Sequence, residues 1–152
     1  MAGELRLHLE RDLPASPAVV FAMNTTPNLL ARWWGPDGFS VPAVELDARV
    51  GGRYRITMQP PEGDAFFLLG EYQAVDRGAR LAYTFRWDPP DPDDHETLVV
   101  LLLQGAGGTT ALTVDQGDFA TEARRALHVQ GWSESIDRLE ALLVTGGASG
   151  AG

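Results

Sequence analysis

The chain of 152 residues is long enough for one domain with a hydrophobic core, and its 44% hydrophobic and 22% charged residues are typical of globular proteins. The net charge of -9 argues against binding to nucleic acid or anionic membranes, because both attract basic surfaces. The absence of Cys excludes disulfides and thiolate chemistry. The first residues lack a signal peptide's apolar centre and no apolar run could span a membrane, so we expect a cytoplasmic protein.

One strand and two short helices are predicted for the first part of the chain. Leucines alternate with polar residues over 5–9, as in a half-buried strand. Ser16-Pro17 and Thr26-Pro27 each provide a helix N-cap followed by proline at the first helical position. We expect the second of these helices to run as far as Gly35-Pro36, which would terminate it.

Alternating strands are predicted for the middle of the chain, where turns rich in Gly, Pro and Asp separate apolar runs. The predicted strands cover residues 41–49, 53–59, 66–75, 81–87, 97–104 and 109–116. The last two flank a glycine-rich turn and therefore indicate a hairpin. The acidic, proline-rich run over 88–94 is expected to be an exposed loop.

The run over 119–144 predicts a long amphipathic helix. Its apolar residues recur every three or four positions, which places them on one side of a helix. They are Val129, Trp132, Ile136, Leu139 and Leu143. Such a helix needs a sheet to cover its apolar face. We therefore predict an α+β domain over 1–144, with a curved seven-stranded antiparallel sheet wrapped around the last helix, and a disordered Gly-, Ala- and Ser-rich tail over 145–152.

Several short motifs, in this order along the chain, resemble one protein family. The run TTPNLLARWWGPDGF over 25–39 is similar to the Trp-Trp-Gly-Pro signature of proteins resembling the activator of the heat-shock chaperone ATPase. The other matching motifs are GGRY at 51–54, GEY at 70–72, RLAYTF at 80–85, TTALTV at 109–114 and HVQGW at 128–132. The resemblance covers residues 5–143 and implies the helix-grip fold of the START-like, or SRPBCC, superfamily. That superfamily includes binders, lipid carriers, cyclases and chaperone partners, because one fold can serve several functions.

Binding of a small, largely apolar molecule between the sheet and the last helix is the leading functional hypothesis. The residues expected to give the cavity its apolar shape are Trp34, Tyr54, Tyr83, Phe85 and Trp132. Gln116, Arg125 and His128 are expected to orient the polar end of the ligand, because a buried amide or imidazole needs a partner. The competing interpretation is that the aromatic residues are only core and that this end of the helix is exposed. Gly131 could also kink the helix, which would turn its two halves to different sides.

Two other functions stay open. A cavity enzyme of the cyclase or hydrolase type would use His128 as a general acid or base, which requires a buried imidazole beside a second titratable group. A protein-binding module with a chaperone as its partner is implied by the family name alone. We expect no metal and no cofactor, because the three His residues lie in different predicted elements without the spacing of metal ligands.

The predicted strand over 97–104 is too apolar for a sheet with one face in water. Its centre reads LVVLLL over 98–103. If alternate residues point inward, Leu98, Val100 and Leu102 form an apolar patch on the outer face. A second copy of the chain would cover this patch in a two-fold homodimer. The alternative is that the loop around 89–94 folds over it.

Overall fold

A computed structural model describes residues 5–145. In chain order the elements are β1 (Leu7–Leu13), α1 (Pro17–Thr25), α2 (Pro27–Leu30), β2 (Ser40–Leu46), β3 (Arg53–Gln59), β4 (Phe66–Asp76), β5 (Arg80–Asp88), β6 (Thr97–Ala106), β7 (Thr109–Gly117) and α3 (Glu122–Val144). The predicted fold class is confirmed, with seven strands, two short helices after the first strand and a long last helix. Apart from Thr145, the predicted tail lies outside the described residues.

The strands form one sheet in the order β1-β7-β6-β5-β4-β3-β2. Each neighbouring pair is antiparallel, and side chains alternate between the two faces. In β5, for example, Leu81, Tyr83 and Phe85 are buried on the inner face, whereas Arg80 and Arg86 are exposed outside. The inner face therefore carries the core and is the surface against which α3 packs.

Helix α3 runs without a break through Gly131, so the kink that this residue could have introduced is not found. The side chain of Thr121 caps its N-terminus by accepting a hydrogen bond from the Arg124 amide at 3.1 Å. The buried residues on its inner side are Arg124, His128, Trp132, Ser135, Ile136, Leu139 and Leu143. Trp132, Ile136, Leu139 and Leu143 are buried as predicted, whereas Val129 is only half-buried. In the first turn Arg124 faces inward instead of the predicted Arg125, a difference of one residue or about 100°. Within residues 5–145, no helix is long and apolar enough to cross a membrane.

The second short helix is shorter than predicted, because α2 ends at Leu30 and a turn follows it. The indole N–H of Trp33 donates to the Met23 carbonyl oxygen of α1 at 3.0 Å, and the side chain is only 1% exposed. This tertiary hydrogen bond anchors the turn on α1. The next residue, Trp34, is then directed toward α3.

The apolar strand β6 has its two faces where the alternation predicts them. Val99 and Leu101 are buried, whereas Leu98 and Leu102 are 39% and 42% exposed on the outer face. The loop after β5 does not cover this outer patch, because its Asp91 bonds to α3 on the opposite side of the sheet. The prediction that the loop shields the patch is therefore wrong.

Candidate functional site

A cavity of about 550 Å³ lies between the sheet and the N-terminal half of α3. Strands β3, β4 and β5 form its floor, α3 forms its roof, and the loops around 34–39, 64–65 and 89–91 close its sides. Its large apolar lining residues are Trp34, Phe39, Met58, Phe66, Phe85, Trp87, Leu127 and Trp132. Cavities of roughly 300–1,000 Å³ with such a lining are the usual size for small-molecule sites.

Aromatic rings form a continuous chain of edge-to-face contacts along the floor of the cavity. The ring centroids of Phe39 and Phe66 are 6.0 Å apart, those of Phe66 and Trp87 are 5.3 Å apart, and those of Trp87 and Phe85 are 5.4 Å apart. Edge-to-face pairs of this kind restrain one another's orientation. The floor is therefore a rigid apolar surface.

The loop after Trp34 is tied to α3 and forms one side wall. The Gly35 amide donates to the Ser135 hydroxyl oxygen at 3.0 Å, and that hydroxyl donates to the Gly35 carbonyl oxygen at 2.9 Å. Two residues further on, the Asp37 amide donates to the Glu134 carboxylate at 2.9 Å. These bonds hold the wall at a set distance from the helix.

The opposite wall is an acidic loop that Arg124 anchors to α3. The two terminal guanidinium nitrogens of Arg124 donate to the carboxylates of Asp91 and Asp94 at 2.9 Å and 2.7 Å. Both Arg124 and the side chain of Asp94 are almost fully buried. Removing one partner of a buried ion pair leaves an uncompensated charge, so this pair strongly constrains the loop.

The imidazole of His128 connects the roof to the floor. Its Nδ1–H donates to the Arg124 carbonyl oxygen one turn earlier, at 2.8 Å, and its Nε2 accepts the indole N–H of Trp87 at 3.2 Å. Burial lowers the pKa of His128 below its ordinary value of 6.5, which keeps the ring neutral at pH 7. Both ring nitrogens are thus engaged, and His128 holds Trp87 in the floor of the cavity.

Comparison with known proteins gives the chain a family. The family model described as Activator of Hsp90 ATPase homolog 1-like protein matches residues 14–144. The chain belongs to this family. The resemblance seen in the sequence motifs is confirmed, and membership supports a ligand-binding type of domain in general.

Solved structures of bacterial proteins share the fold of this family member. A Nitrosomonas europaea protein is 31% identical with a TM-score of 0.80, and the match covers 97% of this chain and 99% of that one. A Chromobacterium violaceum protein is 28% identical with a TM-score of 0.80, covering 94% and 98%. The AHSA1 protein of Silicibacter pomeroyi is 28% identical with a TM-score of 0.79, covering 92% and 98%. No curated protein matches the chain.

Four of the residues proposed for the site line the cavity. They are Trp34, Phe85, His128 and Trp132. Trp34 and Trp132 contact each other edge-to-face, with ring centroids 5.2 Å apart. This tryptophan pair forms the end of the cavity where the first side wall meets the roof.

Two predicted tyrosines lie in the core and do not line this cavity. Tyr54 and Tyr83 are 6% exposed, and their rings pack against each other with centroids 5.3 Å apart. The Tyr54 hydroxyl donates to the Thr84 carbonyl oxygen at 2.6 Å. Burial raises the pKa of both tyrosines well above the ordinary value, so they are neutral. Their strand alternation is as predicted, but they lie beyond the end of the cavity.

The predicted polar residues Gln116 and Arg125 also lie away from the cavity. Gln116 is fully buried, where its side-chain amide nitrogen donates to the Thr97 hydroxyl at 2.9 Å and its oxygen accepts the Trp132 indole N–H at 2.7 Å. Arg125 pairs at the surface with Glu122 at 3.1 Å. It lies one residue away from the buried face of α3, to which Arg124 belongs.

Several lining residues were left out of the proposed site, among them Phe66, Trp87 and Arg124. Trp87 shares the strand alternation of Tyr83 and Phe85, so the pattern contained a signal for it. Phe66 begins β4 beside the loop that closes the cavity. Predicting that Arg124 faces inward requires the rotation of α3 about its axis to within one residue. The apolar spacing after Val129 did not determine that rotation.

Gly131 leaves a gap in the roof of the cavity. A Cβ atom at this position would meet only the Pro36 Cγ, at an ordinary contact distance of 3.9 Å. Glycine in a helix interior costs about 1 kcal/mol relative to alanine. The helix therefore carries a destabilising residue at a place where a side chain would occupy the cavity.

Proposed function

We propose that the protein binds a small, largely apolar molecule in the cavity between the sheet and α3. The observation that carries this proposal is the cavity of about 550 Å³ with its aromatic floor. Small-molecule sites are typically clefts of this size, lined mainly by apolar and aromatic side chains with a few polar groups. An apolar space of this size, with glycine in its roof, favours a site that is filled by a ligand.

The bonding of His128 favours ligand binding over the cavity-enzyme alternative. A general base needs a free lone pair, and the Nε2 lone pair of His128 accepts the Trp87 N–H. The chaperone-partner alternative rests on the family description, and no contact within residues 5–145 favours it over ligand binding. Both alternatives stay predictions.

The test uses the gap at Gly131. Nile red, a neutral dye whose fluorescence rises in apolar surroundings, should bind the wild-type protein saturably. Gly131→Leu places a branched side chain in the cavity and should weaken binding about tenfold or more, which corresponds to about 1.4 kcal/mol. Fluorescence titration measures both affinities, and circular dichroism establishes that the variant is folded.

The matched control is Gly131→Ala, whose single methyl group meets only Pro36 and should leave dye binding close to wild type. Saturable binding that survives unchanged in a folded Gly131→Leu variant would place the dye elsewhere. A wild-type protein that does not bind the dye would contradict the proposed function.

We also propose that the outer patch on β6 is a homodimer interface. Arg80 of β5 pairs with Leu102 of β6, Leu102 pairs with Thr113 of β7, and Thr113 pairs with Glu10 of β1. These four residues therefore lie in one row across the sheet. A two-fold axis along β6 would set β5 of one copy opposite β7 of its partner, because each lies one strand from β6. Arg80, which pairs with Asp76 in its own chain, would then lie over Thr113 of the second copy, one strand from Glu10, while the leucines pack together. This charge complementarity favours a second copy as the occupant of the patch.

The wild-type protein is therefore expected to sediment as a dimer, and the Val100→Thr, Leu102→Gln double variant as a folded monomer. The physical reason is the loss of apolar area at the centre of the patch. Analytical ultracentrifugation measures the change. Val50→Gln, at an exposed apolar residue in a distant turn, is the control and should remain dimeric. A wild-type protein that sediments as a monomer at high concentration would contradict the proposed homodimer.

A further inference from the structure

The ionisable residues around the cavity are mostly acidic. Those that line it are Asp64, Asp91, Glu134, Arg124 and His128, which are three carboxylates, one guanidinium and one imidazole that burial keeps neutral. Asp64 lies on an exposed loop at one side of the entrance, and Asp91 and Glu134 belong to the two side walls. The rim of the apolar cavity is therefore negative, in a chain whose net charge is already -9.

The one cation in this lining is not free to receive an anionic ligand. Both terminal nitrogens of Arg124 donate to Asp91 and Asp94, and its Nε is buried without a hydrogen-bond partner among the described residues. An anionic group could reach the terminal nitrogens only by displacing the exposed carboxylate of Asp91 or the buried carboxylate of Asp94. Both terminal nitrogens already have a carboxylate partner, and displacing Asp94 would leave a buried charge unpaired, so carboxylate and phosphate ligands are disfavoured here.

The carboxylate of Glu134 is held in its ionised form at the rim. It accepts hydrogen bonds from the Asp37 amide at 2.9 Å and from the Gln130 side chain at 3.0 Å. The backbone hydrogen bond from Asp37 is the largest cause that lowers the pKa of Glu134. Its negative charge is therefore present at neutral pH, close to the tryptophan pair formed by Trp34 and Trp132.

The aromatic surfaces of the cavity suit the same kind of ligand as its rim. Indole and phenyl rings carry negative charge on their faces and attract cations, most strongly where water is excluded. Trp34, Phe66, Trp87 and Trp132 provide such rings in the lining that also contains the carboxylates. An organic cation could thus place its apolar body on the floor and its charge toward the rim.

We infer that the ligand of this cavity is an apolar molecule that carries a positive charge, such as an amine on a hydrophobic or aromatic body. The inference rests on the proposed function and names the ligand class of that same site. The negative field of the protein as a whole adds to the selection by raising the local concentration of cations.

Three probes with one ring system and different charges test this inference. They are 1-naphthylmethylamine, a cation at pH 7, the neutral 1-naphthalenemethanol, and the anionic 1-naphthoic acid. Titration calorimetry at low salt should rank the affinities as amine, alcohol and acid, with about tenfold between the first two, or about 1.4 kcal/mol. Higher salt should reduce the preference for the amine, because ions screen exposed charges.

Variants at the rim identify the carboxylates responsible. Asp64→Asn and Glu134→Gln should each reduce the affinity for the amine and leave that for the alcohol unchanged. Glu62→Gln changes the same charge on the same loop but lies outside the lining, so it is the matched control. Equal or tighter binding of the alcohol or the acid would overturn this inference alone. Failure of all three probes to bind would contradict the proposed function and the inference with it.

Discussion

Replacing Gly70 with Ala is expected to lower the free energy of unfolding by more than about 4 kcal/mol, or to prevent folding altogether. Gly70 lies on β4 directly opposite Tyr54, whose ring crosses it to reach the Thr84 carbonyl oxygen. A Cβ atom at Gly70 would overlap that backbone oxygen and would lie 2.5 Å and 2.7 Å from the Cε2 and Cζ atoms of the Tyr54 ring. The oxygen belongs to the sheet and cannot move aside.

A glycine-to-alanine change at Gly131, where the structure has space for a methyl group, provides the control. Gly131→Ala should raise the free energy of unfolding by about 0.5–1 kcal/mol, because alanine favours the helix and meets open space there. Urea denaturation followed by circular dichroism measures both changes. A Gly70→Ala protein with the wild-type midpoint would show that the close approach of Tyr54 is not part of the folded state.

Replacing Gln116 with Met is expected to cost about 2–4 kcal/mol of stability while leaving the cavity able to bind Nile red. The substitution keeps the volume of the side chain but leaves the Trp132 indole N–H and the Thr97 hydroxyl buried without their present partner. Unpaired buried groups of this kind cost about 1–3 kcal/mol each. Urea denaturation and dye titration on the same preparation separate the two effects.

A double variant examines the same hydrogen-bonded trio. Thr97→Val combined with Gln116→Met should cost less than the sum of the single changes, because the second change removes a group that the first leaves unpaired. If Gln116→Met instead keeps wild-type stability and abolishes dye binding, then Gln116 orients the ligand as the sequence analysis expects.

The order and type of the elements could be predicted from the sequence because they depend on local patterns. The two-residue period over 53–59 corresponds to β3 at both ends, and the last apolar residues of α3 are buried as their spacing predicts. Local patterns also predicted which side of β6 faces the core. The motifs shared with the family extended this to the whole fold.

Whether an inward-facing side chain lies in the packed core or at the cavity could not be predicted in the same way. Tyr54, Tyr83 and Phe85 all belong to alternating inner faces, yet only Phe85 of the three lines the cavity. The position of a side chain relative to the cavity depends on how the sheet curves. The pairing of β4 with β5 is irregular between Tyr72 and Ala74, and such an irregularity bends a strand without a simple periodic signal in the sequence. Alternation predicts the face of the sheet on which a side chain lies, and tertiary packing decides whether that side chain contacts the core or the cavity.

By itself the sequence determined an antiparallel sheet around a long last helix, the inward face of the alternating strands and the aromatic character of the space under α3, because these follow from periodicity and composition. The motifs shared with the family implied the helix-grip fold. The tertiary structure decided that Arg124 faces inward instead of Arg125, since a helix turns 100° per residue and its phase depends on what it packs against. It also paired Arg124 with Asp91 and Asp94, which lie about thirty residues away in the chain. Contacts of that kind arise only when distant segments meet, and the same folding brings Asp64, Asp91 and Glu134 to the rim of one cavity.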